Sequence, residues 1–403
     1  MSDMLDKCFS AATLNGLTLR NRVITAATFE GMTPGGVPGQ NLIEYHRRLA
    51  QGGVGMNTVA YCAPEADGRL MEDMIFMRES IRPQLEQLAA AVHAEGGALS
   101  GQLSHAGHFT QNRAFRGKRP LGPSHGFNLS GLPYGNGLGA AMGDKEMEAF
   151  VRNFSKAAAF MKSTGMDAIE IHFGHGYGLS QFISPKTNRR KDKYGGSINN
   201  RMRLPLRVLA GVRAAVGDDF PLLGKMGLTD GVRGGLGIDD AISVAKLLDA
   251  EGIDCLIPSG GTSSMNPGYM FRGDNLWQHL LAAEPNRLLA MGIFFMRPFM
   301  FHSYPYEELY FLDGSRRVRD AVQRAKVCYI GGVSTVESLE TAMREFDFVA
   351  IGRALVADPD MVKHIMSDHQ YRNPCTHCNQ CSALIKHPDG IHCPVVRATA
   401  TPA

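Results

Sequence analysis

Within Ile171-His172-Phe173-Gly174-His175-Gly176-Tyr177, two imidazoles and a phenol crowd into one short stretch. Imidazoles at His172 and His175 can converge on one small group, such as a carbonyl oxygen. Their N–H groups would stabilise negative charge developing there. The phenol of Tyr177 could deliver a proton to a different atom of the same molecule. A satisfied polar cluster or a metal site suits the same residue types; a metal would need a third ligand, and Glu170 is the carboxylate nearby. A second constellation is Cys375-x-x-Cys378-x-x-Cys381 followed by Cys393. Four thiolates so spaced suit a [4Fe–4S] cluster and are compatible with a zinc site. A third is Gly331-Gly332-Val333 together with Ile351-Gly352-Arg353. Backbone N–H groups opened by glycine, a helix N-terminus and an arginine together suit a phosphate dianion.

These groups need a scaffold that carries them to one place. Apolar, β-branched runs predict strands over 22–27, 54–61, 99–103, 168–172, 222–226, 255–258, 327–330 and 348–351. Helical spacing predicts helices over 41–51, 81–94, 145–163, 202–216, 238–250, 315–325, 336–344 and 358–364. Strands alternating with helices imply a parallel sheet, because parallel neighbours need long crossovers. Eight such units predict an α/β fold of the (β/α)8, or TIM, barrel kind. His172, Lys225 and both glycine sites then fall at the C-terminal ends of strands, the catalytic face of such barrels. The inserts over 109–143 and 260–313 extend the loops of that face. The expected division is a barrel over 1–366 and a cysteine-rich tail over 367–403.

Composition narrows the classes. The chain has 403 residues and is 44% hydrophobic, which excludes low-hydrophobicity disorder. A net charge of +3 gives no sign of a nucleic-acid partner or an anionic membrane surface. The longest apolar run, 288–296, is closed by Arg297 and falls short of the ~20 residues a spanning helix needs. No basic segment followed by an apolar stretch opens the chain, so a cytoplasmic, reducing location is expected. A homo-oligomer is expected as well.

The run His172-x-x-His175-Gly176-Tyr177 continues into Gln181-Phe182-x-Ser184-Pro185-x-Thr187-Asn188-x-Arg190-x-Asp192-x-Tyr194-Gly195-Gly196-Ser197 and Asn200-Arg201. This signature resembles the old yellow enzyme family of FMN-dependent ene-reductases, and the likeness extends over almost the whole chain. The resemblance implies that His172 and His175 hold a substrate carbonyl oxygen and that Tyr177 protonates the alkene carbon. It assigns the sites at Gly331, Gly332, Gly352 and Arg353 to the FMN phosphate. It places Gln102 and Lys225 at the pyrimidine edge of the flavin. Ala26, Ala27, Thr28 and Tyr61 complete the expected cofactor contacts. Phe29 departs from the pattern: many relatives carry Thr or Cys near there, and phenylalanine cannot donate a hydrogen bond to the flavin.

The implied reaction takes hydride from NAD(P)H through FMN to the β-carbon of an enone or enal, with a proton from Tyr177 to the α-carbon. The cysteine tail resembles that of 2,4-dienoyl-CoA reductase and trimethylamine dehydrogenase. It holds a [4Fe–4S] cluster, a zinc ion or free thiols. An alternative is an amine or N-methyl dehydrogenase passing electrons outward through that tail. A barrel without flavin, serving as a metal-stapled binding protein, is the non-enzymatic alternative.

Overall fold

The computed structural model describes residues 2–112, 118–274, 276–284 and 287–400. Eight strands close a parallel barrel: β1 (Val23–Thr25), β2 (Met56–Ala63), β3 (Ala98–Leu103), β4 (Ala168–Phe173), β5 (Leu222–Gly227), β6 (Cys255–Ser259), β7 (Lys326–Ile330) and β8 (Phe348–Ile351). Each neighbour pairs in parallel, and Ile24 beside Met56 joins the first strand to the second. Between them run α1 (Gln40–Gln51), α2 (Arg82–Ala94), α3 (Asp144–Ser163), α4 (Ile198–Val216), α5 (Ile238–Ala250), α6 (Leu312–Arg319), α7 (Val336–Glu345) and α8 (Met361–Ser367). The predicted (β/α)8 barrel is therefore the observed fold.

The strands are buried throughout because helices cover one face and the barrel interior the other. The outer layer packs α3 residues such as Phe154 and Met161 against Leu99 and Ile169 of the strands. The lower interior is a separate apolar plug of Ile24, Met56, Ala98, Ala168, Leu223, Cys255, Cys328 and Phe348. The hairpin of Ala12–Leu14 and Leu17–Leu19 closes it from below with Leu14 and Leu19. Alternation along the strands then raises polar groups above the plug. In register, Glu170 lies beside Gln102 and His172 beside Lys225.

Three helix boundaries differ from expectation. The predicted helix over 315–325 ends at Arg319. The carboxylate of Asp249, from α5, accepts N–H groups of Gln323, Arg324 and Ala325 and holds that segment as a turn. The helix expected from 202 begins at Ile198, because the Ser197 hydroxyl accepts the Asn200 N–H and caps it. The helix expected over 358–364 runs instead from Met361, after Asp358 turns back onto the Asp360 N–H. The second insert, read as loop, contains the helices Leu276–Ala283 and Arg287–Met300. No helix among the described residues is long and apolar enough to cross a membrane.

The tail folds back across the barrel mouth. The amide of Asn379 donates to the carbonyls of Phe271 and Asp274, and Ile391 N–H donates to Glu30 O at 2.8 Å. Gly31, at φ +71°, admits this approach: a Cβ there would collide with the backbone carbonyl of Ile385. Gly31→Ala is expected to loosen the tail at a cost of about 1–3 kcal/mol. Faster amide exchange over 380–391 than in the barrel strands would register it; unchanged exchange there would refute it.

Candidate active site

The strand ends and the two inserts enclose one cavity of about 590 Å³. Ala26, Ala27, Thr28, Tyr61, Gln102, His172, His175, Tyr177, Lys225, Gly331, Gly332, Gly352 and Arg353 all line it. The same wall includes His377, Ser382, Ala383 and Ile385 from the tail. The four cysteines stand outside the cavity wall. Cys375, Cys378 and Cys393 are half-buried and Cys381 is buried. Their thiols lie close enough for Cys375 to feel Cys393 and Cys378, and for Cys381 to feel Cys375 and Cys393. Burial pushes the Cys381 thiol up to about 11, against the pull of the Arg353 guanidinium.

His172, one residue before the end of its strand, faces inward. His175 adopts a left-handed backbone at φ +60°, followed by Gly176 at +79°, and this turn throws its ring back toward His172. The two imidazoles share a hydrogen bond, His172 Nε2 to His175 Nδ1 at 2.9 Å. The outer nitrogens are also engaged: Ser104 Oγ lies 3.1 Å from His172 Nδ1, and Ser259 Oγ lies 2.8 Å from His175 Nε2. Four side chains from three strands and a turn thus form one hydrogen-bonded row. Burial, and then the Lys225 charge, lowers the His175 ring to about 3. Burial, then the His175 and Lys225 charges, holds His172 well below the usual imidazole range. Both rings are neutral at physiological pH, so each carries one N–H to donate.

Tyr177 is buried at the start of the short helix Gly178–Ile183. Its ring packs against those of Tyr61 at 5.1 Å and His172 at 4.6 Å, and it lines the cavity. Tyr61 and Ser263 nearby favour its ionised form. Burial still raises Tyr177 above the usual phenol range, so it holds its proton at neutral pH. The Tyr61 ring stacks between Phe29 at 6.4 Å and His172 at 5.8 Å. Phe29 thus contributes an apolar stacking face where a hydroxyl or thiol would have offered a donor.

The cavity floor and the far edge fit a flavin nucleotide. Gln102 Nε2 donates to Glu170, which leaves Gln102 Oε1 buried without a partner. A carboxylate accepts only, so this orientation is dictated, and the free oxygen awaits an N–H from a ligand. At the far edge, no backbone carbonyl among the described residues takes the N–H groups of Gly332, Val333, Gly352 or Arg353. Gly331 and Gly332 hold φ of +121° and +74°, which keeps that loop open without side chains. Arg353 donates to Arg272 O and to Asn379 Oδ1, tying the phosphate edge to the tail. Glu308 accepts the Ser334 N–H at 3.1 Å and closes the second insert against the same loop.

The sequence does not single out Ser104, Ser259 or Ser263, and it offers Glu170 only as a possible third metal ligand, whereas here Glu170 shares an inward face with His172 and pairs with Gln102 and Lys225. Ser259 lies one residue past the predicted strand end.

Comparison with known proteins is consistent with this geometry. The family model described as NADH:flavin oxidoreductase / NADH oxidase matches residues 7–262. A 4,4'-dithiodibutanoate disulfide reductase of Rhodococcus erythropolis is 39% identical over 379 residues, 94% of this chain and 92% of that protein. A metal reductase of Desulforamulus reducens is 29% identical, covering 92% of this chain. The chain spans 50% of that relative's length. A solved 2-naphthoyl-CoA reductase in complex with 2-naphthoyl-CoA superposes with a TM-score of 0.82 at 25% identity. That match covers 97% of this chain and 57% of the reductase chain.

Proposed function

Because the chain belongs to the NADH:flavin oxidoreductase / NADH oxidase family, we propose that it reduces the C=C bond of α,β-unsaturated carbonyl compounds at the expense of NAD(P)H. Bound FMN would supply the chemistry of hydride uptake from the nicotinamide and hydride delivery to the β-carbon. Gln102 and Lys225 would hold its pyrimidine edge. The N–H groups of Gly332, Val333, Gly352 and Arg353, with the Arg353 charge, would hold its phosphate. The residues of the chain do the rest. A neutral imidazole donates to the acceptor's carbonyl oxygen and polarises the double bond. To do so, His175 turns its Nε2–H from Ser259, or His172 turns its Nε2–H from His175. Tyr177 gives its proton to the α-carbon. The observation that carries this reading is the buried, protonated Tyr177 phenol, its ring 4.6 Å from that of His172, beside two neutral imidazoles in one cavity. An ammonium substrate would face Lys225 and uncharged rings, so the amine-oxidising alternative has less support.

One observation favours a second acceptor class. The relative matched over nearly its whole length reduces a disulfide. Hydride attack on one sulfur of a dialkyl disulfide releases the other as a thiolate, and Tyr177 would protonate it, giving two thiols. Rapid mixing under anaerobic conditions separates the readings. Protein reduced with NADPH is mixed with 2-cyclohexen-1-one or with 4,4'-dithiodibutanoate, and the return of flavin absorbance is followed. Faster return with the enone is the expected result. Return with the disulfide alone would move the assignment to disulfide reduction. Purified protein without flavin absorbance would exclude both.

For the tail we propose a bound metal centre on Cys375, Cys378, Cys381 and Cys393, a [4Fe–4S] cluster ahead of zinc. The sequence spacing of the four cysteines supports this reading. Iron, sulfide and zinc analysis of anaerobically purified protein decides it.

A further inference from the structure

Beneath the cavity floor lies a carboxylate to which the proposed reaction gives no part. Glu170 is 1% exposed and does not line the cavity. It stands directly above the apolar plug, on the inward face of β4, between Ala168 and His172. One of its oxygens takes two contacts. Gln102 Nε2 donates to Oε1 at 2.5 Å, and Lys225 Nζ approaches the same atom at 3.5 Å. Gln102 and Lys225 are themselves 1% and 3% exposed, and both line the cavity. A lone carboxylate in such surroundings would be costly, and so would a lone ammonium. Each is tolerable because the other is there.

We propose that Glu170 is a positioning residue that sets the redox potential of the bound flavin. The proposal rests on the reading that Gln102 and Lys225 face the flavin's pyrimidine edge. Two effects follow from the one carboxylate. It accepts hydrogen bonds only, so it turns the Gln102 amide with Oε1 toward the cavity, where that oxygen can receive an N–H. It also lies behind the Lys225 ammonium as seen from the cavity. Electrons added to a flavin above this site meet a dipole with its positive end uppermost, rather than an isolated cation. Within a low-dielectric interior, a full charge at a few ångströms has a large effect on that balance. Glu170 therefore restrains how strongly Lys225 stabilises the reduced, negatively charged ring.

The test is the flavin midpoint potential, read by spectroelectrochemical titration of the purified holoprotein. Glu170→Gln removes the charge and keeps the size and a carbonyl acceptor for Gln102. It is expected to favour reduced over oxidised flavin by at least tenfold, which for a two-electron couple is a rise of about 30 mV. Glu170→Asp keeps the charge and is expected to stay near the wild-type potential. A Glu170→Gln potential that is unchanged or lower overturns the proposal. So does a Glu170→Asp shift as large as that of Glu170→Gln, which would assign the effect to packing. Loss of FMN from Glu170→Gln alone would show a purely structural role and overturn it as well. Wild-type protein that binds no FMN would instead overturn the reading on which the proposal rests.

Discussion

Replacing Tyr177 with phenylalanine is expected to slow the acceptor half-reaction by a factor of roughly 10²–10⁴, the usual contribution of a positioned general acid. Reduction of the protein by NAD(P)H is expected to proceed at the wild-type rate. The separation follows from what the phenol touches. Tyr177 lines the cavity, and no bond in the row from Ser104 to Ser259 includes it. The substitution removes one oxygen and leaves the ring packed against Tyr61 at 5.1 Å and Phe109 at 5.9 Å, so the fold is retained. Stopped-flow traces of the two half-reactions provide the check. An acceptor half-reaction unchanged by Tyr177→Phe across pH would place the proton donor elsewhere.

The second large effect concerns acid. His175 titrates near 6.5 in an unfolded chain and at about 3 in the fold. Between those values the unfolded state binds a proton that the native state refuses, so stability falls as pH falls. The loss begins below about pH 6.5 and continues toward pH 3. At pH 4.5 it amounts to about 3 kcal/mol from His175 alone. His172 is shifted in the same direction and adds to it. Denaturant unfolding at pH 7 and pH 4.5 measures the difference. His175→Asn is the control, because asparagine tolerates the left-handed backbone that position 175 adopts and does not titrate. The variant is expected to lose less stability on acidification than the wild type. Equal losses would mean that His175 is already charged in the native state.

The barrel was legible because buried parallel strands read as apolar, β-branched runs with helical spacing between them. The runs at 168–172 and 222–226 show this directly, since both strands occur within one residue of the expected bounds. That Gly331, Gly332, Gly352, Arg353 and the His–His–Tyr cluster share one cavity was legible because a glycine pair, a lone glycine with its arginine and a dense imidazole motif each have few other uses at strand ends. What escaped is what depends on register between distant segments. Glu170 matters because Gln102 lies beside it on the next strand and Lys225 reaches it from the strand on the other side. Single-strand alternation places it inward but does not name its partners. Ser104 and Ser259 are ordinary serines until three strands bring them to the two ends of one imidazole pair. The end of the helix at Arg319 was hidden for the same reason: the carboxylate that captures residues 323–325 comes from Asp249, on another helix. The tail's path across the mouth rests on Asn379, Arg353 and the bare backbone of Gly31, and none of these announces a contact in sequence.

The apolar plug under the site, sealed by the N-terminal hairpin, has a consequence for traffic. With Met56, Leu223 and Phe348 below and Leu14 and Leu19 closing the base, the described residues fill the barrel from underneath. A reductant and an acceptor that both react against that floor are expected to compete, and excess of either to slow turnover. The barrel's solid floor thus bears on the order of events in its mouth.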